Sequence, residues 1–257
     1  MDASTLAAPI ADSARSRAVP ALHNGDHLSR DEFHRRYSAA PPGLSAELIE
    51  AIVYTPSPLR YRFHAKQNDD LITWMGYYRA KTPGVSSGGN ATVKLDLDNE
   101  PQPDALLFIP PAAGGQVKID EDSYIVGAPE LVAEVSGSTV SMDLHQKLNA
   151  YRRNGVREYV VCRVDDHAID YFILREGQFV PPTATDGIYK SEVFPGLWLN
   201  APAMLAGDLA AVFAAVDKGI AASDHAAFAK RVRPPTKRPS KPSYTIIIVL
   251  PAKPCGG

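Results

Sequence analysis

Cysteine is scarce in this chain. Only Cys162 and Cys255 are present among 257 residues, too few for a disulfide framework or a sulfur-rich metal site. A continuous apolar run of about 18 residues is also missing, which excludes a membrane-spanning helix. The first residues, MDASTLAAPIADSARSRAVP, lack the apolar stretch of a signal peptide. These absences lead to the expectation of a soluble, cytoplasmic protein with reduced thiols. No internal repeat is visible.

Strong net charge is lacking as well. The formal balance is −2, but it is uneven along the chain. After residue 220 there are seven Lys/Arg and one Asp, leaving 20 basic and 28 acidic residues before that point. An acidic body argues mildly against a general nucleic-acid binder, but it permits a local basic groove or an acidic site neutralised by metal. What is present in ordinary amount is apolar material, 45% of the chain, enough for a sizeable core.

Composition divides the chain into three. Residues 1–42 carry scattered Ser, Ala and Pro around the charged patch SRDEFHRRY, and predict a flexible arm with at most one short helix. Residues 221–257 form a basic, Pro-rich tail, with a short β-prone run at Ile246–Leu250 that has no evident role. Between them, residues 43–220 alternate in pattern. Glu47–Thr55 ends as a strand. Leu71, Trp74, Met75 and Tyr78 mark the apolar face of a helix over 59–81. Val93, Leu95 and Leu97 alternate with charged residues as a half-exposed strand. Gly84–Asn90 (GVSSGGN) is Gly-rich without the residues of a phosphate loop, and predicts a loop.

Ala105–Ile109 and Leu131–Val135 are short buried strands, and Ser141–Asn154 is a helix ended by Asn154-Gly155. Strands at 159–164 and 168–174 flank a turn at Asp165-Asp166-His167. FPGLWLN and an Ala/Leu-rich helix close the domain. The fold class is α/β, in a single domain.

Three charged residues sit where the pattern asks for apolar ones. Asp104 immediately precedes a buried strand, Glu134 lies inside the next, and Lys147 falls on or beside the apolar stripe of the following helix, three residues past Leu144. Each has a bland reading: a turn former, an edge carboxylate with its head in water, and a snorkelling lysine. Their combination is harder to dismiss. An unpaired buried charge costs several kcal/mol or is neutralised, and two neighbouring carboxylates repel unless a cation separates them. A hard divalent ion suits oxygen ligands, and Mg²⁺ typically takes one or two carboxylates plus substrate phosphates.

The order of motifs is Pro103-Asp104 before an apolar strand, then GAPELVAEV, a Ser/Thr turn, and Asp143-Leu-x-x-Lys147-Leu-x-x-Tyr151. RRNGVREYVV and VFPGLWL follow. This set resembles the "putative restriction endonuclease" family of the PD-(D/E)xK nuclease superfamily, over about Glu47 to Leu209. The resemblance implies a restriction endonuclease-like fold, a central mixed β-sheet flanked by helices. It also implies a metal-dependent endonuclease that hydrolyses DNA, with double-stranded DNA as the expected substrate. Carried over, Asp104, Glu134 and the Val135 carbonyl would hold Mg²⁺ or Mn²⁺, and Asp104, Glu134 and Lys147 would be catalytic.

Two departures stand out. The lysine usual two residues after the glutamate is Ser136 here, with Lys147 on the helix as its counterpart. The pattern Glu-Leu-Ile-Asp-Gly-Glu-Val-Tyr reads ELIEAIVY, so its second glutamate falls on Ile52, leaving Glu50 or Glu47 as substitutes. Glu50 and Tyr151 are candidate accessory residues.

Arg60, Arg62, His64, Lys66, Arg152, Arg153 and Arg157 are candidate phosphate contacts, although charged runs are usually solvated faces. Asp143, one turn before Lys147, fits capping or pairing with that lysine better than metal binding. His145 points away and makes no zinc pair. Such nucleases often pair to cut both strands, so a homodimer is among the expected partners, although no dimer helix is evident. The rival reading is a nuclease fold without cleavage activity, serving as a nucleic-acid-binding or protein-interaction module.

Overall fold

The centre of the molecule is a six-stranded mixed sheet. A computed structural model describes residues 19–55 and 65–233. The strands are β3 (Ser86–Gly88), β5 (Ala105–Phe108), β8 (Leu131–Ser136), β9 (Glu158–Arg163), β10 (Ala168–Arg175) and β11 (Gln178–Val180), in spatial order β11-β10-β9-β8-β5-β3. Among the described strands of this sheet, β8 and β9 alone run parallel. A parallel pair needs a long crossover, here the helical segment α3 (Val140–Met142), a π-turn at Asp143–Lys147, and α4 (Leu148–Arg153). The α/β class and the mixed sheet flanked by helices are as expected from the sequence.

All six residues of β8 are buried because both faces of the sheet are covered, so the strand reads as a near-continuous apolar run. One face packs Leu131, Ala133 and Val135 against Leu71, Trp74, Met75 and Tyr78 of α2 (Ala65–Lys81). Fully burying a side chain such as Leu71 or Met75 contributes about 1.5–3 kcal/mol. The polar tips are satisfied too: Trp74 Nε1 donates to the Trp198 carbonyl at 3.1 Å and the Tyr78 hydroxyl to the Pro195 carbonyl at 2.9 Å. The other face packs Val132, Tyr159 and Val161 against Tyr151 and Val156, with Leu144 and Leu148 alongside. Glu134, two residues from Val132 along β8, faces this second side.

The structure moves several boundaries. The expected arm contains α1 (Arg30–Ser38), capped by the Ser29 side chain, with Phe33 buried against Leu48 and Val53. Glu47–Thr55 is a hairpin, β1 (Glu47–Ile49) and β2 (Ile52–Tyr54), turning at Glu50-Ala51. The half-exposed strand shortens to β4 (Val93–Lys94), which joins β6 (Lys118–Ile119) and β7 (Ile125–Val126) in a three-stranded sheet. Leu97 is exposed. The expected loop at Gly84–Asn90 contributes edge strand β3, because a three-residue strand needs backbone pairing with β5 and no apolar pattern.

The Ala/Leu-rich C-terminal helix is two helices, α5 (Ala201–Ala206) and α6 (Leu209–Ile220), parted by left-handed Gly207. They follow the hairpin β12 (Ile188–Lys190) and β13 (Trp198–Asn200). The tail's first part is also structured. Helix α7 (Ser223–Val232) buries Phe228 and Val232 in the main core. The packed body therefore runs beyond the expected 43–220 at both ends. The first turns of the expected 59–81 helix and the Ile246–Leu250 run lie outside the described residues. No helix among the described residues is long and apolar enough to cross a membrane.

Candidate active site

Asp104 and Glu134 come together through strand register. Ala105 pairs with Ala133 in the antiparallel β5–β8 ladder, so the preceding Asp104 lies opposite Glu134. The two strands are fastened here by a side chain as well, since the Val135 amide donates to Asp104 Oδ2 at 2.7 Å. Both acids are buried, Glu134 to 3% exposure.

Lys147 reaches them from the crossover. In an α-helix each four-residue step advances about 40° round the axis, so Asp143, Lys147 and Tyr151 would drift across the face. The wider π-turn at Asp143–Lys147 slows that drift, and all three side chains are buried. Lys147 Nζ lies 3.1 Å from Glu134 Oε1, 3.0 Å from Glu47 Oε2 and 3.8 Å from Asp143 Oδ1. The Tyr151 hydroxyl donates to Glu134 Oε1 at 2.7 Å. Glu47, at the start of β1, is held in turn by the Gln102 amide at 2.6 Å, two residues from Asp104.

The cluster carries more negative charge than a buried site readily holds. Burial, reinforced by Asp104, Asp143 and Glu47, keeps the Glu134 pKa well above the usual carboxylate range despite the pull of Lys147. Burial also disfavours the ammonium of Lys147, but Glu134, Glu47, Asp143 and Asp104 outweigh it and push its pKa well above the ordinary lysine value. Lys147 therefore stays charged. Four carboxyl groups surrounding one ammonium must retain a proton or take up a further cation.

Other expected residues stand apart from this cluster. Glu50 forms an ion pair with Arg153 at 2.8 Å, and Arg153 also meets Asp96 at 3.3 Å. Arg152 donates to the Gly177 carbonyl at 2.8 Å, and Lys66 pairs with Asp70 at 2.7 Å. Arg152 and Arg153, read from the sequence as phosphate contacts, thus have protein partners. Arg60, Arg62 and His64 lie outside the described residues. His145 is exposed, as expected. Of the two substitutes for the acid lost at Ile52, Glu47 is the one that joins Lys147.

Sequence reasoning missed the work of Ser136 and Thr139, whose hydroxyls both donate to Asp143 Oδ2, the second at 2.7 Å. Two hydroxyl residues just before a buried aspartate were the available signal.

Among the described residues, no three His, Cys, Asp or Glu side chains form a ready-made cage for an ion. Lys147 Nζ stands within 3.1 Å of both Glu134 and Glu47. The donor chemistry nonetheless fits Mg²⁺ or Mn²⁺: Asp104 and Glu134 offer hard oxygens, and such ions commonly combine one or two carboxylates with substrate phosphates.

A family model described as Uma2, "Putative restriction endonuclease", matches residues 30–202. The crystal structure of a putative nuclease belonging to DUF820 from Anabaena variabilis ATCC 29413 superimposes with a TM-score of 0.51 at 13% identity. That match covers 74% of this chain and 99% of the other, which shows a shared fold. None of the curated proteins matches. The family match spans most of the body and both strands that carry the buried acids, and the chain belongs to the Uma2 putative restriction endonuclease family.

Proposed function

We propose that the protein is a metal-dependent endonuclease acting on DNA, with Asp104, Glu134 and Lys147 at its centre. The observation that carries this reading is the surplus of buried carboxylates round Lys147, on a fold and in a family of nucleases. A site of that charge has use for a divalent cation and, through it, for a phosphodiester that would otherwise be repelled.

Asp104 and Glu134, with the Val135 carbonyl, would hold Mg²⁺ or Mn²⁺. When bound, the ion supplies a Lewis acid and lowers the pKa of water. The carboxylates round Lys147 favour its ammonium form, so its proposed part is to orient the attacking water and offset charge on the phosphate. Glu47 also holds that ammonium, at 3.0 Å, and Tyr151 fixes the Glu134 carboxylate by its hydrogen bond. Double-stranded DNA is the proposed substrate, and a homodimer would serve to cut both strands.

Cleavage of supercoiled plasmid by wild type and Glu134→Ala, each with Mn²⁺ and with EDTA, tests the reading. Nicking by wild type alone, and only with metal, is the expected result. Equal behaviour of the two proteins would replace it with a binding module that uses the same fold.

A further inference from the structure

We propose that Asp143 is a positioning residue for Lys147, itself held in place by Ser136 and Thr139. The inference rests on Lys147 being the group that orients the attacking water. Asp143 is 2% exposed and is anchored on every side. Its Oδ2 accepts from the hydroxyls of Ser136 and Thr139, its carbonyl from the Tyr159 hydroxyl at 3.0 Å, and its amide donates to the Thr139 carbonyl at 3.0 Å. The remaining oxygen, Oδ1, faces Lys147 Nζ at 3.8 Å. That is beyond hydrogen-bond range, so it acts on the ammonium through charge.

Strand geometry gives the arrangement its logic. Ser136 and Glu134 are two residues apart on β8 and share a face, so a lysine at position 136 would lie beside Glu134 directly. Ser136 instead places its hydroxyl on Asp143, at the start of the π-turn that ends in Lys147. The strand acts on the lysine at one remove, through a carboxylate. A long, flexible side chain delivered from a neighbouring segment needs such a fixed counter-charge. Glu47 lies on a separate hairpin, bonded through Leu48 to Glu100 and not to a strand of the main sheet.

A double-mutant cycle tests the proposal. Asp143→Asn, Lys147→Met and the double variant are compared in two assays, Mn²⁺-dependent nicking of plasmid and urea unfolding. Asp143→Asn should slow nicking at least about tenfold with KM little changed, yet add no slowing to the residual rate of Lys147→Met. In urea, its loss of stability should likewise shrink once Lys147 is gone. Ser136→Thr, which keeps the hydroxyl, should retain most activity, whereas Ser136→Ala should follow Asp143→Asn. Equal, additive effects in both backgrounds would overturn the proposal, because they are what a purely structural Asp143 gives. A wild type that cuts no DNA while the urea coupling persists would overturn the nuclease reading and leave the Asp143–Lys147 linkage supported.

Discussion

Lys147 and Glu47 meet at 3.0 Å although a hundred residues separate them. The contact ties the β1–β2 hairpin to the crossover helix inside the buried cluster. Glu47→Gln keeps an acceptor for the Gln102 amide but removes the negative charge beside the ammonium. Plasmid nicking is expected to fall by about 10–100-fold, in line with losses on misplacing catalytic groups, while the variant stays folded by circular dichroism. An unchanged rate would remove Glu47 from the site.

Removing the two charges of the central pair should have opposite effects on stability. Glu134→Gln relieves repulsion with Asp104, Asp143 and Glu47 and still accepts from Tyr151, so it should unfold at or above the wild-type temperature while losing activity. Lys147→Met leaves the carboxylates without their cation and should destabilise by about 3 kcal/mol. Urea melts of both variants decide it. A stabilised Lys147→Met would mean that the carboxyl groups are already neutral.

A divalent ion bound only by the folded state must raise Tm. At a hundredfold excess over Kd the gain is about 2.7 kcal/mol, several degrees for a chain of this size. The rise with Mn²⁺ should be present in wild type and absent in Asp104→Ala. Equal rises in both would place the ion elsewhere.

The Glu50-Ala51 turn is strained. Both residues are left-handed, at φ 53° and 62°, a conformation that costs a side-chain-bearing residue about 1–2 kcal/mol. Glycine is preferred at such turns. Ala51→Gly should raise Tm by about 2 °C, and a fall would show that packing of the Ala51 methyl outweighs the strain.

Glu100 makes stability depend on pH. Burial raises its pKa above the ordinary 4.5, with His34, 2.7 Å away, pulling the other way, helped by Lys94 and Arg30. As pH rises past about 4.5 the unfolded chain ionises first, so wild type loses stability until the folded pKa is passed. Glu100→Gln has no such loss. Urea melts should show the variant gaining on wild type as pH rises above about 4.5, until the folded pKa is passed, in both the His34 and the His34→Gln background. A constant difference would contradict the raised pKa.

The sequence makes the centre of the sheet legible because burial on both faces of β8 leaves Glu134 conspicuous among apolar residues. Lys147 is legible from its place on the helical stripe. The π-turn is not, because no residue type in DLHQK demands a wider turn. Glu47 and Glu50 could not be told apart, being three residues from each other on one short hairpin whose turn sends only the first toward the lysine. The sequence allows one short helix in the arm, and α1 is it; helix α7 hides because it buries few apolar side chains, Phe228 and Val232, amid charged neighbours.

Helix α7 also sets where the chain can be shortened. The carbonyl of Val232 lies so close to Gly84 that a Cβ there would stand 2.1 Å from it, so the end of the helix is seated on the turn leading into β3. Cutting at residue 220, where the basic composition begins, would strip Phe228 and Val232 from the core and uncover that turn. Trimming for expression or crystallisation should therefore keep the chain through residue 233, and a tag at that end belongs beyond it.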